Sequence, residues 1–170
     1  MTSSELGIAA HQLADLGYEV FPLVPGGKTP ATTHGFHDAT RNHDRITAWW
    51  HENRDYNIGI RTGLYPYGDD DQRRCLVVID LDEHVHGISG NDEWHHYTQL
   101  HGDTPTIEAL TPSQGRHLYH WCDTEIRNSA GHNFPDGIDI RGQGGYVVAP
   151  PSTTPLGAYH WDVEHDPTSG

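Results

Sequence analysis

Lysine is almost absent from this chain of 170 residues. Lys28 is the only one, and together with the arginines it makes ten cations against 24 Asp and Glu residues. The formal net charge is -14 with histidine counted as neutral. A sequence-independent DNA-binding surface needs many cations in contact with phosphates, so this charge argues against such a surface over the whole chain. Any contact with nucleic acid must be local.

Cysteines and long apolar runs are also scarce. The two cysteines, Cys75 and Cys122, are too few for a disulfide framework, and they lack the Cys-x-x-Cys spacing of a zinc site. No stretch approaches the roughly 18 consecutive apolar residues of a membrane span. The first residues have a polar start and helical periodicity, unlike a signal peptide. We therefore expect a cytoplasmic protein.

The remaining pattern is a mixture of helices and short strands. Helical periodicity runs from Leu6 to Leu16, a second helix is expected through Ile46 and Trp50 with Asp44 as its cap, and a third over 92–100. Strands are predicted over 18–24, 57–63, 75–79, 106–110, 116–121, 137–140 and 146–149, and a loop over 68–74. The closely spaced strands of the second half favour an α+β sheet over a parallel doubly wound fold.

The stretch CLVVIDLDEH, residues 75–84, joins an apolar strand to two carboxylates, Asp80 and Asp82. A buried carboxylate is costly unless a cation or several hydrogen-bond donors compensate it. Residues two apart in a strand project from the same face, with Cα atoms roughly 6.5 to 7 Å apart, so both carboxylates are able to converge on one ion. The alternative is a strand that simply emerges into solvent.

A third carboxylate occurs in GIDIRG, where Asp139 lies between Ile138 and Ile140. Arg141 follows two residues later and is predicted to share the face of Asp139. Three oxygen ligands on adjacent strands suit magnesium or manganese, which retain waters and bind substrate phosphates. We expect Asp80, Asp82 and Asp139 to be metal ligands.

Between these acids lies TPSQGRHLYH, residues 111–120, in which a turn of small residues leads into a strand. Ser113, the Gly115 backbone and Arg116 are possible donors to an anion. His117 is able to bind a phosphate or a metal, although taken alone it fits a core or surface histidine better. Lys28, in the turn-rich segment PGGKTP, is a weaker candidate for the same anion, and its alternative is a solvated turn lysine.

In this order, the motifs D-L-D, S-x-G-R-H and I-D-I-R-G resemble those of the archaeo-eukaryotic primase superfamily. The wider framework resembles its bifunctional primase/polymerase (prim-pol) branch of plasmid and phage replication proteins. The segments that carry this resemblance are FPLVPGGKTPAT, HGFHDAT, NIGIRTG, LVVIDLD, RHLY and GIDIRGQGGYVVAPPS. One departure is Gln114, at a place where the family commonly has glycine.

The resemblance implies an α+β fold with an RRM-like antiparallel or mixed catalytic sheet packed against a second small αβ lobe. Residues 1–170 would form a single prim-pol catalytic domain, with an N-terminal αβ portion over about 1–65 and the motif-bearing catalytic sheet over about 73–160. The domain would be excised from a longer replication protein that continues into a helical segment and a helicase.

The implied activity is that of a DNA primase and DNA-directed polymerase in a bacterial or phage-host cell. Asp80, Asp82 and Asp139 would hold two Mg²⁺ or Mn²⁺ ions, and His117 would contact the phosphates of an incoming NTP or dNTP. Arg116, Arg141, Ser113 and Lys28 are expected to assist in nucleotide binding. The other partners would be a single-stranded DNA template and a primer, with no membrane involved.

Two other classes of function fit the same residues. One is a non-catalytic module that binds a nucleotide or a single strand. The other is a metal-dependent nuclease, because three acids and a histidine are also able to position an attacking water.

Overall fold

Two antiparallel sheets, a small one of three strands and a large one of six, organise the protein. A computed structural model describes residues 4–67, 72–83, 86–129, 134–164 and 166–167. Three α-helices accompany the sheets in these described residues, so the predicted α+β class is confirmed. Within the described residues, none of the helices has the length and apolar character that crossing a membrane requires.

The helices and strands have the following bounds. The helices are α1 (Glu5–Asp15), α2 (His43–Glu52) and α3 (Gly90–His101), and a short 3₁₀ turn covers Gly35–Asp38. The small sheet contains β1 (Val20–Leu23), β2 (Asn57–Arg61) and β8 (Tyr146–Ala149) in the order β1-β2-β8. The large sheet contains β3 (Gly63–Tyr67), β4 (Gln72–Leu81), β5 (Ile107–Leu110), β6 (Arg116–Cys122), β7 (Ile138–Arg141) and β11 (His160–Trp161). A separate hairpin joins β9 (Thr153–Thr154) to β10 (Gly157–Ala158).

One hydrophobic core joins the two sheets and the first two helices. Val78 and Tyr119 of the large sheet belong to the same buried cluster as Ile58 and Val147 of the small sheet. Trp50 of α2 also lies in this cluster, and its indole N–H donates a hydrogen bond to the carbonyl of Tyr56. The two sheets are therefore held against each other by packed apolar side chains, which fixes any site formed between them.

β4 is the central strand of the large sheet. It pairs with β6 along one edge, and along the other edge it pairs first with β3 and then with β7. Its second half, from Val78 to Leu81, therefore has a neighbouring strand on both sides. The strand that carries Asp80 is held by hydrogen bonds from both directions at that point.

Two sequence predictions need correction. Asn42, and not Asp44, caps α2, because the Asn42 side chain accepts a hydrogen bond from the Arg45 N–H at 3.0 Å while Asp44 lies inside the first helical turn. The loop predicted over 68–74 is wrong for 72–74, which belong to β4 because β3 offers a partner strand there. Residues 68–71 of that predicted loop lie outside the described part of the chain.

A tight turn over 111–115 connects β5 to β6. The Gly115 N–H donates to the Thr111 hydroxyl at 3.0 Å, and the Thr111 N–H donates to the Gly115 carbonyl at 3.0 Å. A Cβ on Gly115 would lie 2.2 Å from the Leu81 carbonyl oxygen, so only glycine allows the turn to pack against the end of β4. Gln114 has φ +68°, a left-handed conformation in which glycine is unstrained.

We predict that Gln114→Gly stabilises the protein. Relief of the left-handed strain of about 1–2 kcal/mol exceeds the added entropy of the unfolded chain, for a net gain of about 0.5–1 kcal/mol. Urea unfolding measures the difference. Ser113→Gly is the control, because the structure gives Ser113 no positive φ and the added flexibility should lower stability. Equal effects of the two substitutions would contradict the assignment of strain to Gln114.

Candidate metal and nucleotide site

Strand register places three polar side chains of the large sheet side by side. Asp80 of β4 is directly opposite His117 of β6 on one edge and directly opposite Asp139 of β7 on the other. Directly opposed residues of neighbouring strands project from the same face of a sheet. The middle position of this row is buried, with Asp80 only 8% exposed.

Asp82 joins this row from just beyond the end of β4. Its N–H donates to the Gly137 carbonyl at 2.8 Å, and its own carbonyl accepts from the Gly90 N–H at 2.9 Å. A Cβ on Gly90 would lie 2.3 Å from the Gly137 carbonyl oxygen, so this approach of α3 to the sheet requires glycine. The backbone of Asp82 is therefore held from both sides, as a ligand in a preorganised site should be.

The three carboxylates converge. Asp80, Asp82 and Asp139 each offer one oxygen within 4.8 Å of the others. This meeting of acids from two strands was expected from the sequence. The donor set is made of carboxylate oxygens alone, which fits the hard cations Mg²⁺ and Mn²⁺ and does not fit a soft, sulfur-preferring metal.

The charge of Asp80 is balanced by two neighbours. His117 Nε2 lies 3.3 Å from Asp80 Oδ1, and Arg141 donates to Asp80 Oδ2 through Nε at 3.1 Å and Nη2 at 3.0 Å. Burial alone would raise the pKa of Asp80, but hydrogen bonds and charges from His117 and Arg141 outweigh it and hold that pKa below its ordinary value. Arg141 Nη2 also donates to Asp139 Oδ2 at 3.1 Å, so one guanidinium joins two of the acids.

Asp82 has the opposite electrostatic environment. Burial raises its pKa, and the negative charges of Asp80 and Asp139 raise it further, against a weaker opposing effect of Arg141 and His117. At Asp82, the positive charges of the neighbouring residues are therefore too weak to balance the negative charge of the triad. A divalent cation would supply the missing positive charge, so the residues fit the metal that the sequence predicts.

A cavity of about 300 Å³ lies beside the triad, between the large sheet and β8 of the small sheet. Asp80, His117 and Arg141 line it from the large sheet, and Lys28 lines it from the loop after β1. His117 Nδ1 is buried and has no hydrogen-bond partner among the residues that the structure describes. A buried nitrogen at a cavity wall that has no protein partner is available to bond to whatever occupies the cavity, whether water or ligand.

Two predicted nucleotide ligands are not brought into this cavity. Arg116 forms a salt bridge with Glu108, including a hydrogen bond from Nε at 3.0 Å. Because neighbours in a strand face opposite sides, Arg116 lies on the other face of the sheet from His117. Ser113 lies in the exposed turn, with its hydroxyl 3.2 Å from that of Thr111, and it does not line the cavity.

Sequence reasoning missed three polar side chains that line the cavity: those of Tyr159, Tyr146 and Asn128. Burial raises the pKa of the Tyr159 phenol, with Lys28 opposing the shift in part. Tyr146 begins β8, and alternation along the motif GYVVAPPS could have placed it on the opposite face from Val147, which lies in the core shared by the two sheets. Tyr159 and Asn128 lie in short segments with no periodic pattern, and no local signal identifies them.

Comparison with known proteins adds an independent observation. A search of curated proteins finds no match to the chain. The family described as "Bifunctional DNA primase/polymerase, N-terminal" matches residues 10–169, nearly the whole sequence, and this range includes both sheets, the acidic triad and the cavity. This family match supports a DNA primase/polymerase role in replication for the chain. The chain therefore belongs to the bifunctional DNA primase/polymerase N-terminal family.

Proposed function

We propose that this protein synthesises and extends primers on a DNA template, using nucleoside triphosphates and a two-metal nucleotidyl transfer, in phage or plasmid replication. The observation that carries the proposal is the convergence of Asp80, Asp82 and Asp139 within 4.8 Å beside a cavity lined by Lys28 and Arg141. Acids for cations and basic groups for phosphates are the two requirements of phosphoryl transfer from a triphosphate.

The metal ligands would be Asp80, Asp82 and Asp139. Divalent ions held there would neutralise the triphosphate and lower the pKa of the attacking 3′-hydroxyl, which is the chemistry that two-metal sites supply. The protein contributes the rigid placement of the acids, because β4 and β7 are paired in register at Asp80 and Asp139. Asp80 remains ionised despite its burial, since His117 and Arg141 hold its pKa low.

The phosphate ligands would be His117, Arg141 and Lys28, all of which line the cavity. His117 has its Nε2 beside Asp80, and its Nδ1, which has no partner among the described residues, would contact a phosphate oxygen. Arg141 would extend the row of charges, since its guanidinium already contacts two of the acids. Arg116 and Ser113 are left out, because neither lines the cavity.

The two alternative functions make different products. A nuclease would use the same acids to activate water and would shorten a labelled strand, whereas a binding module would leave it unchanged. Incubation with Mn²⁺, labelled nucleotides and a primed single-stranded template distinguishes them. Extension supports the proposal, degradation supports the nuclease, and an unchanged strand supports the binding module.

We predict that the double substitution Asp80→Asn with Asp82→Asn abolishes extension, with a loss of roughly 10³-fold or more, because the groups that hold the ions are removed together. The assay is extension of a labelled primer with Mn²⁺. Asp55→Asn is the matched control, since Asp55 is exposed and remote from the triad in sequence. Extension by the double variant at the parental rate would show a contaminating polymerase or a wrong site.

We predict that Mn²⁺ affinity falls as pH is lowered, starting above the ordinary pKa of an aspartate. The pKa of Asp82 is raised, so in the free protein this carboxylate takes up a proton at a higher pH than usual, and the protonated form is a poor ligand. Mn²⁺ titration at several pH values measures the effect. Asp82→Asn should bind Mn²⁺ more weakly and lose this part of the pH dependence. Unaltered pH dependence in that variant would refute the assignment to Asp82.

A further inference from the structure

Asn57 is a buried polar residue at the start of β2, only 1% exposed, and its side-chain amide bonds to two separate loops. Nδ2 donates to the Gly27 carbonyl at 2.9 Å and to the Thr153 carbonyl at 2.7 Å. Oδ1 accepts from the Thr153 N–H at 3.1 Å. Both amide protons are therefore used, and the amide joins the loop after β1 to the hairpin that begins at Thr153.

The loop after β1 carries Lys28, and both peptide groups that flank this residue are held. Gly27 O belongs to the peptide that precedes the Lys28 Cα and is bonded to Asn57. Lys28 O belongs to the peptide that follows and accepts from the Tyr146 hydroxyl at 3.1 Å. Since each peptide is planar, holding both carbonyl groups restricts φ and ψ of Lys28 and the direction of its Cα–Cβ bond.

The second loop held by Asn57 leads to another wall of the cavity. The residue before Thr153 is Ser152, and its carbonyl accepts from the Tyr159 N–H at 2.9 Å. Tyr159 and Lys28 both line the cavity, whereas Asn57 does not. Any effect of Asn57 on a ligand in the cavity must therefore pass through the residues that it holds.

We infer that Asn57 is a positioning residue for nucleotide binding, and that it acts by aiming Lys28, the only lysine of the chain, at the phosphates of the bound nucleotide. This inference rests on the proposed function, because it takes a nucleoside triphosphate as the occupant of the cavity. The same constraint involves the backbone of Gly27 and Thr153 and the hydroxyl of Tyr146. A substitution of Tyr146 would also remove a side chain that lines the cavity. A substitution of Asn57 changes the positioning of Lys28 without removing a group that lines the cavity.

A purely structural role makes a different prediction, and the chain offers a control for it. Ser152 is fully buried next to Thr153, and its hydroxyl accepts from the Ile58 N–H at 2.8 Å. Ser152→Ala removes a buried hydrogen bond from the same strand β2 without touching the loop of Lys28. Both Ser152→Ala and Asn57→Ser should lower Tm, but only Asn57→Ser should weaken the binding of the nucleotide.

The experiment measures binding of dATP in the presence of Mn²⁺ to four proteins: Asn57→Ser, Lys28→Ala, the double variant and Ser152→Ala. We expect Asn57→Ser to weaken dATP binding, and Lys28→Ala to weaken it by roughly tenfold, the loss of one charge-assisted contact. The double variant should bind no more weakly than Lys28→Ala, because a residue that acts through Lys28 has no effect once Lys28 is gone. Mn²⁺ affinity without nucleotide should be unchanged in Asn57→Ser.

A second measurement covers the case of an unstable variant. Because the chain has one lysine, isotope-labelled lysine gives a single spin system by NMR. At a temperature where both variants are folded, its amide signal should shift or broaden in Asn57→Ser and stay in place in Ser152→Ala. An unchanged lysine signal in Asn57→Ser would overturn the inference without any assay of binding.

Other outcomes separate this inference from the proposed function. Additive losses in the double variant would overturn the positioning of Lys28 and would assign the effect of Asn57 to the segment that leads from Thr153 to Tyr159. Equal losses of dATP affinity in Asn57→Ser and Ser152→Ala would overturn the positioning role altogether. In both cases Lys28 keeps its phosphate contact. Unchanged dATP affinity in Lys28→Ala would overturn both the phosphate contact of Lys28 and the role of Asn57. The metal centre is judged separately, by extension in the Asp80 and Asp82 double variant.

Discussion

The site depends on the compensation of one buried charge, that of Asp80. A carboxylate in the middle of a large sheet is unfavourable by itself, and burial acts to raise its pKa. His117 on one neighbouring strand and Arg141 on the other reverse that effect. The register of β4 with β6 and β7 is what brings these partners to Asp80, so a shift of either strand by one residue would move its polar side chain to the opposite face. In this fold, the register of the sheet therefore determines the electrostatics of the site.

The sequence was sufficient to identify the acidic triad but not the full cavity. Period-two geometry placed Asp80 and Asp82 on one face, and the apolar strand of GIDIRG supplied the third acid, Asp139. The same geometry, applied along β6, would have separated Arg116 from His117, because adjacent residues of a strand face opposite sides. Arg116 was instead grouped with the donors of the preceding turn, and the structure gives it Glu108 as a partner.

Other parts of the site had no local signal. Asn57 was visible only as the first residue of a strand, since its partners at 27 and 153 are distant in sequence. Tyr159 lies in a short connection between β10 and β11, where no periodic pattern distinguishes a cavity wall from a loop. β3 was also missed, because its Gly63 and Pro66 are typical of turns and its strand geometry comes from pairing with β4.

The location of the cavity explains how a protein with a net charge of -14 could hold a triphosphate. The two sheets share one core, and the cavity begins where that core ends: Val78 is buried in it, and Asp80, two residues further along the same face, lines the cavity. Lys28 approaches from the loop after β1 and Arg141 from the large sheet, so cations from two sides face one cavity, while many of the acids in the described part of the chain face solvent elsewhere. In such a space, local charges outweigh the screened net charge of the surface, because screening by salt acts mainly on exposed groups. The packing of the two sheets sets the width of the cavity between them. Substitutions in their shared core should therefore weaken nucleotide binding more than they disturb the arrangement of the three acids, which depends on strand register within the large sheet.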